Sequence, residues 1–576
     1  MKLHILIGEL KRISDDTISC PQGTVLSNAL ISCGFRLPLI CNGEGTCGKC
    51  KVRLLSGRAD ISEEERSLLT AQEREQGYRL ACRLTVTEEL DIELGLEEEY
   101  MYIPSADTSA ENHTNTSSAD RYAYSLAIDI GTTTLAIAAV DMRDGSCFDE
   151  YTCVNHQRSY GADVISRIAA ACNGQQPAMR DCVIEDINRG IDILMARSGL
   201  TLERLEHIAI TGNTVMQHIF AGYPCEGLGQ APFTPVSLEL KKTDSGILLP
   251  GISAFVGADV VTGIYECGFA DVQVPGAGGE SDAADSPEGM HTADDMRLSL
   301  FIDLGTNGEI ALGNASKLLV ASTAAGPAFE GGNISCGTGT VPGAVMDVSL
   351  SDEEGEPPIT LTLCPGAAGN HSDTDDDENR IIIVHPGSND DETRTIIAHH
   401  GSDCDEPQAH ISPTGICGSG IIALAAELLR TGFVDETGLL DKRLGGRLKL
   451  TPGGEITFTQ KDMRELQLAK AAIRAGIETL LFRYGATYED ITQVYIAGGF
   501  GRGINTDKAA AIGLIPKEIK GMVTSVGNTA LKGAVRFLTD AEGAEKLEHI
   551  RQISTEVVLA DDGFFKEAFV RFMDFS

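Results

Sequence analysis

Short apolar runs punctuated by turns open the chain. KLHILI and DTISC read as a strand pair, GTVLSNALISCG carries apolar residues at helical spacing, and KVRLLSG reads as another strand. Residues 104–121, PSADTSAENHTNTSSADR, have no apolar period, and their small polar composition predicts a flexible linker. After it the apolar runs lengthen. SLAIDIGTTTLAIAAVD (125–141) and SLFIDLGTNGEIALGN (299–314) each read as strand, acidic–Gly–Thr turn, strand, and Ser, Leu, Ile, Asp, Gly and Thr recur at an offset of 174. An internal duplication is the simplest explanation. Further on, GICGSGIIALAAELLR (415–430) is a glycine turn opening a helix, and VYIAGGFGRGINTD (494–507) is a strand running into a glycine turn.

Two segments break this pattern. Residues 271–296 are rich in Gly, Ala, Ser and Asp. Residues 366–410 are acidic and hold a tandem repeat, DDENRIIIVHPGS at 376–388 and DDETRTIIAHHGS at 390–402. Both are expected to be surface excursions.

The 576 residues carry a net charge of −38, which disfavours nucleic acid and anionic membrane surfaces as partners and favours a partner with a basic patch. There is no apolar run of 18 residues and no secretory pattern at the N-terminus, so a cytoplasmic location is expected. With no signal segment, most of the 16 cysteines read as reduced thiols.

One cysteine group reads differently. LICNGEGTCGKCK (39–51) gives Cys41-x5-Cys47-x2-Cys50, with Cys82 following after 31 intervening residues. Four thiolates suit a [2Fe–2S] cluster, and Gly43, Gly45 and Gly48 let a wrapping loop turn amides toward sulfur. Zinc is the alternative, but its sites usually pair two Cys-x2-Cys knuckles and only one occurs here. The spacing resembles that of the adrenodoxin-like ferredoxins. That resemblance implies a β-grasp fold over residues 1–96.

The repeated turns suggest a second chemistry. Gly131, Thr132 and Thr133, and Gly305, Thr306 and Asn307, offer amides and side-chain polar groups to phosphate oxygens. Asp129 and Asp303 at the two strand ends suit Mg²⁺, usually through its waters. Gly498, Gly499 and Gly501 would let backbone approach an adenosine closely. Glu330, in the loop GPAFEGG, is a candidate for binding metal or orienting water. Asp259 lies in a small-residue turn, and Gly212, Asn213 and Thr214 follow a strand. The glycine turn at 415–420 reads better as a hinge or packing contact than as a phosphate site.

The order phosphate turn, phosphate turn, adenosine turn resembles the superfamily of acetate and sugar kinases, Hsp70 and actin. This implies two α/β lobes of duplicated topology closing over ATP. The expected organisation is a ferredoxin domain (1–96), a linker (97–122), a first lobe (123–297) and a second lobe (298–576) carrying the acidic insertion 366–410. The whole resembles the reductive activators of corrinoid proteins. It implies a [2Fe–2S] cluster, ATP and Mg²⁺ as cofactors, a corrinoid protein as electron acceptor and an unidentified low-potential electron donor. The implied reaction returns Co(II) to Co(I), and a homodimer is left open. Two alternatives remain: a sugar-kinase-like phosphotransferase with a redox-sensing cluster, or an activator of another low-potential metalloenzyme such as an acyl-CoA dehydratase.

Overall fold

The computed structural model describes residues 2–7, 16–32, 35, 37, 43, 45, 48–69, 71–94, 123–268, 297–351, 359–364, 380–384, 396–398, 413–451, 456–498 and 504–575. The linker and the segment 271–296 named above lie outside the described residues, as do Cys41, Cys47, Gly499 and Gly501.

The N-terminal domain is a β-grasp sheet. Its strands are β1 (Lys2–Ile7), β2 (Asp16–Ser19), β3 (Lys51–Ser56), β4 (Tyr78–Leu80) and β5 (Leu90–Leu94), in the order β2-β1-β5-β3-β4. β1 and β2 form the expected antiparallel pair, and β1 runs parallel to β5. Helix α1 (Leu26–Ser32) buries Leu26, Ala29 and Leu30 against that sheet. Ser62 and Glu65 cap the short helix Glu63–Leu68 reciprocally. Glu65 then does more than cap: it accepts from Arg79 Nε at 2.9 Å, from Arg79 Nη2 at 2.8 Å and from the Leu80 amide at 2.9 Å. Both side chains are almost fully enclosed (0% and 4% exposed), so this pair fixes the strand that leads to Cys82.

The rest of the chain is a two-lobed, duplicated α/β core. The first lobe has β6 (Tyr124–Ile130), β7 (Thr134–Asp141), β8 (Cys147–Val154), β9 (Leu205–Gly212), β10 (Lys241–Thr243) and β11 (Gly246–Leu248), ordered β8-β7-β6-β9-β11-β10. Helices α2 (Val164–Ala170), α3 (Gln176–Ser198), α4 (Thr214–Ala221) and α5 (Ala258–Cys267) accompany it. β6 is buried along nearly its whole length, as expected of a strand covered on both faces.

The second lobe has β12 (Leu298–Leu304), β13 (Gly308–Asn314), β14 (Lys317–Thr323), β15 (Ala344–Leu350), β16 (Ile359–Leu363), β17 (Arg380–Val384), β18 (Ile396–Ala398), β19 (Gly415–Ile416), β20 (Ile491–Ala497), β21 (Val523–Gly527) and β22 (Ser554–Glu556). One sheet runs β21-β20-β12-β13-β14-β22 and a second β18-β17-β16-β15-β19. Helices α6 (Gly418–Arg430) and α7 (Gln460–Tyr484) complete its core, and α8 (Thr529–Thr539) packs against α5 of the first lobe. α7 starts at a reciprocal Thr459–Asp462 cap and stops at Gly485, whose φ of 80° suits glycine.

The sequence repeat is a structural one. β6 pairs antiparallel with β7 and parallel with β9, while β12 pairs antiparallel with β13 and parallel with β20. Asp129 therefore sits opposite Thr211, and Asp303 opposite Ala497. The described part of the acidic insertion is not a plain loop. Its two repeat copies supply β17 and β18, which pair antiparallel with Ile382 opposite Ile397, and β17 extends the β16 edge.

Candidate functional site

Both repeated turns open into one cleft between the lobes. Asp129, Gly131, Thr132, Thr133, Asp303, Gly305, Thr306, Asn307, Glu330 and Gly498 all line it. In the first turn the Gly131 amide donates to the Thr134 carbonyl at 2.9 Å. A Cβ on Gly131 would stand 2.7 Å from that same oxygen, so the hairpin admits only glycine there. In the second turn the Gly305 amide donates to the Asn307 carbonyl at 3.0 Å. Gly498 has φ 116° and lies against the Leu304 carbonyl, which holds the end of β20 beside the second turn.

Glu330 ties the turns together. It ends a tight turn, Pro327–Glu330, followed by Gly331 at φ 77°. Thr133 Oγ1 donates to its Oε2 at 2.7 Å and Thr306 Oγ1 at 2.9 Å, and the two hydroxyl oxygens are 3.2 Å apart. One carboxylate thus holds a threonine from each lobe. Burial raises its pKa, and the two hydroxyls pull the other way.

More carboxylates converge here than the turns alone supply. Asp259, in the first turn of α5, and Glu309, one residue into β13, line the same cleft. Burial pushes Asp129 up to about 6, with Asn528 opposing. Burial, then the charge of Asp129, pushes Asp259 up to about 7. Burial, then Asp259, Asp129 and Glu330, pushes Asp303 up to about 8. Burial, then the charges of Asp259 and Asp303, raise Glu309 well above its ordinary range, against hydrogen bonds from Ser322 at 3.0 Å and from its own backbone amide. Among the described residues no three of these side chains are close enough to ligate one ion directly, but a hydrated divalent cation in the cleft would reverse these shifts.

Two asparagines secure the first turn. Asn213 caps α4 by accepting from the Met216 amide at 3.0 Å, and its Nδ2 donates to Thr132 Oγ1 at 2.9 Å. Asn528 caps α8 by accepting from the Leu531 amide at 2.9 Å, and its Nδ2 donates to Asp129 Oδ2 at 2.9 Å. Both stand in a strand–Gly-Asn-Thr–helix segment, Gly212–Thr214 and Gly527–Thr529. The recurrence of Gly-Asn-Thr could have revealed Asn528 from sequence. Fully buried Arg167 reinforces the turn by donating to the Thr132 carbonyl at 2.5 Å. At the start of α6, Gly418 lines the cleft, while Gly420 packs directly on the Val345 carbonyl.

The cysteine site is described in part. Cys50 and Cys82 are buried with their sulfurs 3.2 Å apart, too far for a disulfide and close enough to share one metal ion. Gly43, Gly45 and Gly48 have φ of 77°, 70° and 68°, left-handed values that glycine adopts without strain. Two converging thiols under a glycine-rich loop fit an iron–sulfur cluster. Leu37, a few residues before Cys41, meets the first lobe: its amide donates to Ser159 Oγ at 3.2 Å, and Ser159 Oγ donates to its carbonyl at 3.1 Å. Ser159 closes a turn begun by Asn155, whose Nδ2 donates to the Gly131 carbonyl at 2.8 Å. A short path therefore joins the first acidic–Gly–Thr turn to the ferredoxin domain.

Fold and site together define an ATPase of the actin-like, ASKHA class fused to a [2Fe–2S] ferredoxin domain. Comparison with known proteins carries this further. Residues 297–576 match the family model described as the C-terminal domain of RACo, the ASKHA domain. Residues 124–272 match the RACo middle region, and residues 12–87 match a 2Fe-2S iron-sulfur cluster binding domain. The chain belongs to the RACo family, the reductive activators of corrinoid proteins. It is 29% identical over 487 residues to the corrinoid activation enzyme RamQ of Eubacterium limosum, covering 78% of this chain and 69% of that one. It is 27% identical over 438 residues to the [Co(II) methylated amine-specific corrinoid protein] reductase of Methanosarcina barkeri, covering 75% and 73%. A solved structure of a reductive activator for corrinoid, iron-sulfur protein superposes with a TM-score of 0.61 at 25% identity, covering 100% and 98%. Among the described residues, no helix is long and apolar enough to cross a membrane.

Proposed function

We propose that this chain uses ATP to drive an electron from a [2Fe–2S] cluster onto the cobalt of a corrinoid protein, returning Co(II) to Co(I). The observation that carries the ATP half is the meeting of both acidic–Gly–Thr turns at Glu330. The names of the relatives above support the corrinoid half. In this reading Cys41, Cys47, Cys50 and Cys82 hold the cluster, which supplies one-electron chemistry when bound. The turn amides, with Thr132, Thr133, Thr306 and Asn307, take phosphate oxygens. Gly498, Gly499 and Gly501 receive the adenosine. Asp129 and Asp303, with Asp259 and Glu309 beside them, would hold a hydrated Mg²⁺, and Glu330, released from the two threonines, would orient the attacking water. The division at residues 96, 122 and 297 belongs to the same proposal.

The electron comes from a low-potential donor and ends on cobalt. A plant-type cluster sits at about −400 mV, and each 59 mV uphill costs about tenfold in a one-electron equilibrium. ATP helps by binding one lobe arrangement better than another. The test mixes the cluster-loaded protein, a strong reductant and a Co(II) corrinoid protein, then adds Mg-ATP. Co(I) absorbance should appear only with all components, and Cys47→Ala should abolish it while ATP binding persists. Equal Co(I) formation without ATP would end the coupling proposal. Transfer of phosphate to a small molecule would favour a kinase instead.

A further inference from the structure

We infer that Arg167 is a positioning residue for the nucleotide: from behind the first acidic–Gly–Thr turn it aims the Thr133 amide at phosphate and lends the turn a fixed positive charge. The inference rests on the nucleotide reading above. Arg167 lies on α2 and is fully buried. Its Nη2 donates to the Thr132 carbonyl at 2.5 Å and its Nε to the Gly161 carbonyl at 2.9 Å. Its Nη1 faces Gln157 Oε1 at 3.4 Å and Met216 Sδ at 2.9 Å. All four acceptors are neutral, and among the described residues no carboxylate forms an ion pair with it. A buried cation with no anion bonded to it is costly. Burial pulls its pKa down to about 9, with Arg158 adding to this and Cys182, Asp163 and Glu330 opposing. It stays charged at neutral pH.

The turn gives that charge a use. The trans peptide joining Thr132 to Thr133 is planar, so its N–H points opposite to its C=O. With the C=O fixed on Arg167, the Thr133 N–H points away from the arginine, and Thr133 lines the cleft. A charged donor on the carbonyl also polarises the peptide unit and strengthens its N–H as a donor. The carbonyls on either side are held as well, Gly131 by Asn155 Nδ2 at 2.8 Å and Thr133 by the Asn155 amide at 2.8 Å. No carbonyl of the turn is then free to swing round and repel an anion. The charge also reaches into the cleft, since Arg167 and Glu330 each shift the other's ionisation. Glu330 is the carboxylate that the two threonines hold. A phosphate that takes its place inherits both the field of Arg167 and the Thr133 amide.

The experiment measures binding of a non-hydrolysable ATP analogue to the full-length chain by calorimetry, with urea unfolding beside it. Arg167→Gln should weaken binding about tenfold or more, and Arg167→Lys, which keeps the charge, should weaken it less. Because Arg167 also packs the lobe, a second pair of variants leaves it in place. Met216→Glu sets a carboxylate against Nη1, and Met216→Gln sets a neutral group of the same shape there. Met216→Glu should bind the analogue about tenfold more weakly than Met216→Gln while unfolding at no lower urea concentration, because the new ion pair compensates a buried charge. A purely structural role would move binding and stability together. Undiminished binding in Arg167→Gln, equal affinity within the Met216 pair, or a weaker-binding Met216→Glu that is also the less stable of the two would overturn the inference. A parent chain that binds no analogue would instead remove the nucleotide reading itself.

Discussion

Asp303→Asn should stabilise the folded chain while destroying Mg-ATP turnover. Asp303 sits among Asp259, Asp129 and Glu330, and burial with those neighbours raises its pKa from 3.8 to about 8. A carboxyl raised in the folded state binds more protons there than in the unfolded chain between these two values. Stability therefore falls as pH rises from about 4 to about 8 and levels off above. At pH 7 the penalty spans about three pH units at about 1.4 kcal/mol each, so up to about 4 kcal/mol. Asparagine carries no charge and escapes it. The assay is urea unfolding followed by circular dichroism in a chelating buffer at about pH 5.5, 7 and 8.5. The parent should weaken across the series, and Asp303→Asn should be flatter and stronger at the alkaline end. A parent whose stability is level across the range, or a variant no more stable than the parent at pH 8.5, would refute the argument from crowded carboxylates.

Two further outcomes are expected. Arg79→Met leaves the Glu65 carboxylate enclosed without its partner and should cost the ferredoxin domain about 3–5 kcal/mol, read as bleaching of the cluster at lower temperature than in the parent. Thr133→Val removes a hydroxyl from the first acidic–Gly–Thr turn and should weaken binding of a non-hydrolysable ATP analogue about tenfold or more by calorimetry, since a hydrogen bond to a charged group contributes about 1.5–3 kcal/mol. Undiminished affinity would remove Thr133 from the site.

Much of this was visible in the sequence because it is local. The repeated acidic–Gly–Thr turn is a strand end, a bend and a strand start within a few residues, and that neighbourhood carries its own geometry. The same holds for α1 after the first hairpin and for the glycines around Cys47. What escaped is what folding brings together from afar. Asn528 meets Asp129 across 399 positions, and no local pattern announces that its side chain caps one helix while serving another lobe. Glu309 reads as one polar position in an apolar strand until the cleft forms around it. Asp259 stood out in a small-residue turn, but only the closing of α5 against the two acidic strands gives it company. The acidic insertion hid its strands because the charges flanking Ile381–Ile383 and Ile396–Ile397 outweighed these short apolar runs.

Glu330 gives the cleft a threshold. Each threonine hydroxyl has a single hydrogen to offer, and in this arrangement both are spent on one carboxylate. A ligand that reaches only one threonine gains one hydrogen bond and leaves Glu330 anchored by the other. A ligand that reaches both evicts the side chain. Its apparent affinity is its intrinsic affinity scaled by the fraction of molecules in which Glu330 has swung clear. Ligand length is thereby converted into a nearly all-or-none event at a single rotamer, and the evicted carboxylate is delivered beside the group that displaced it.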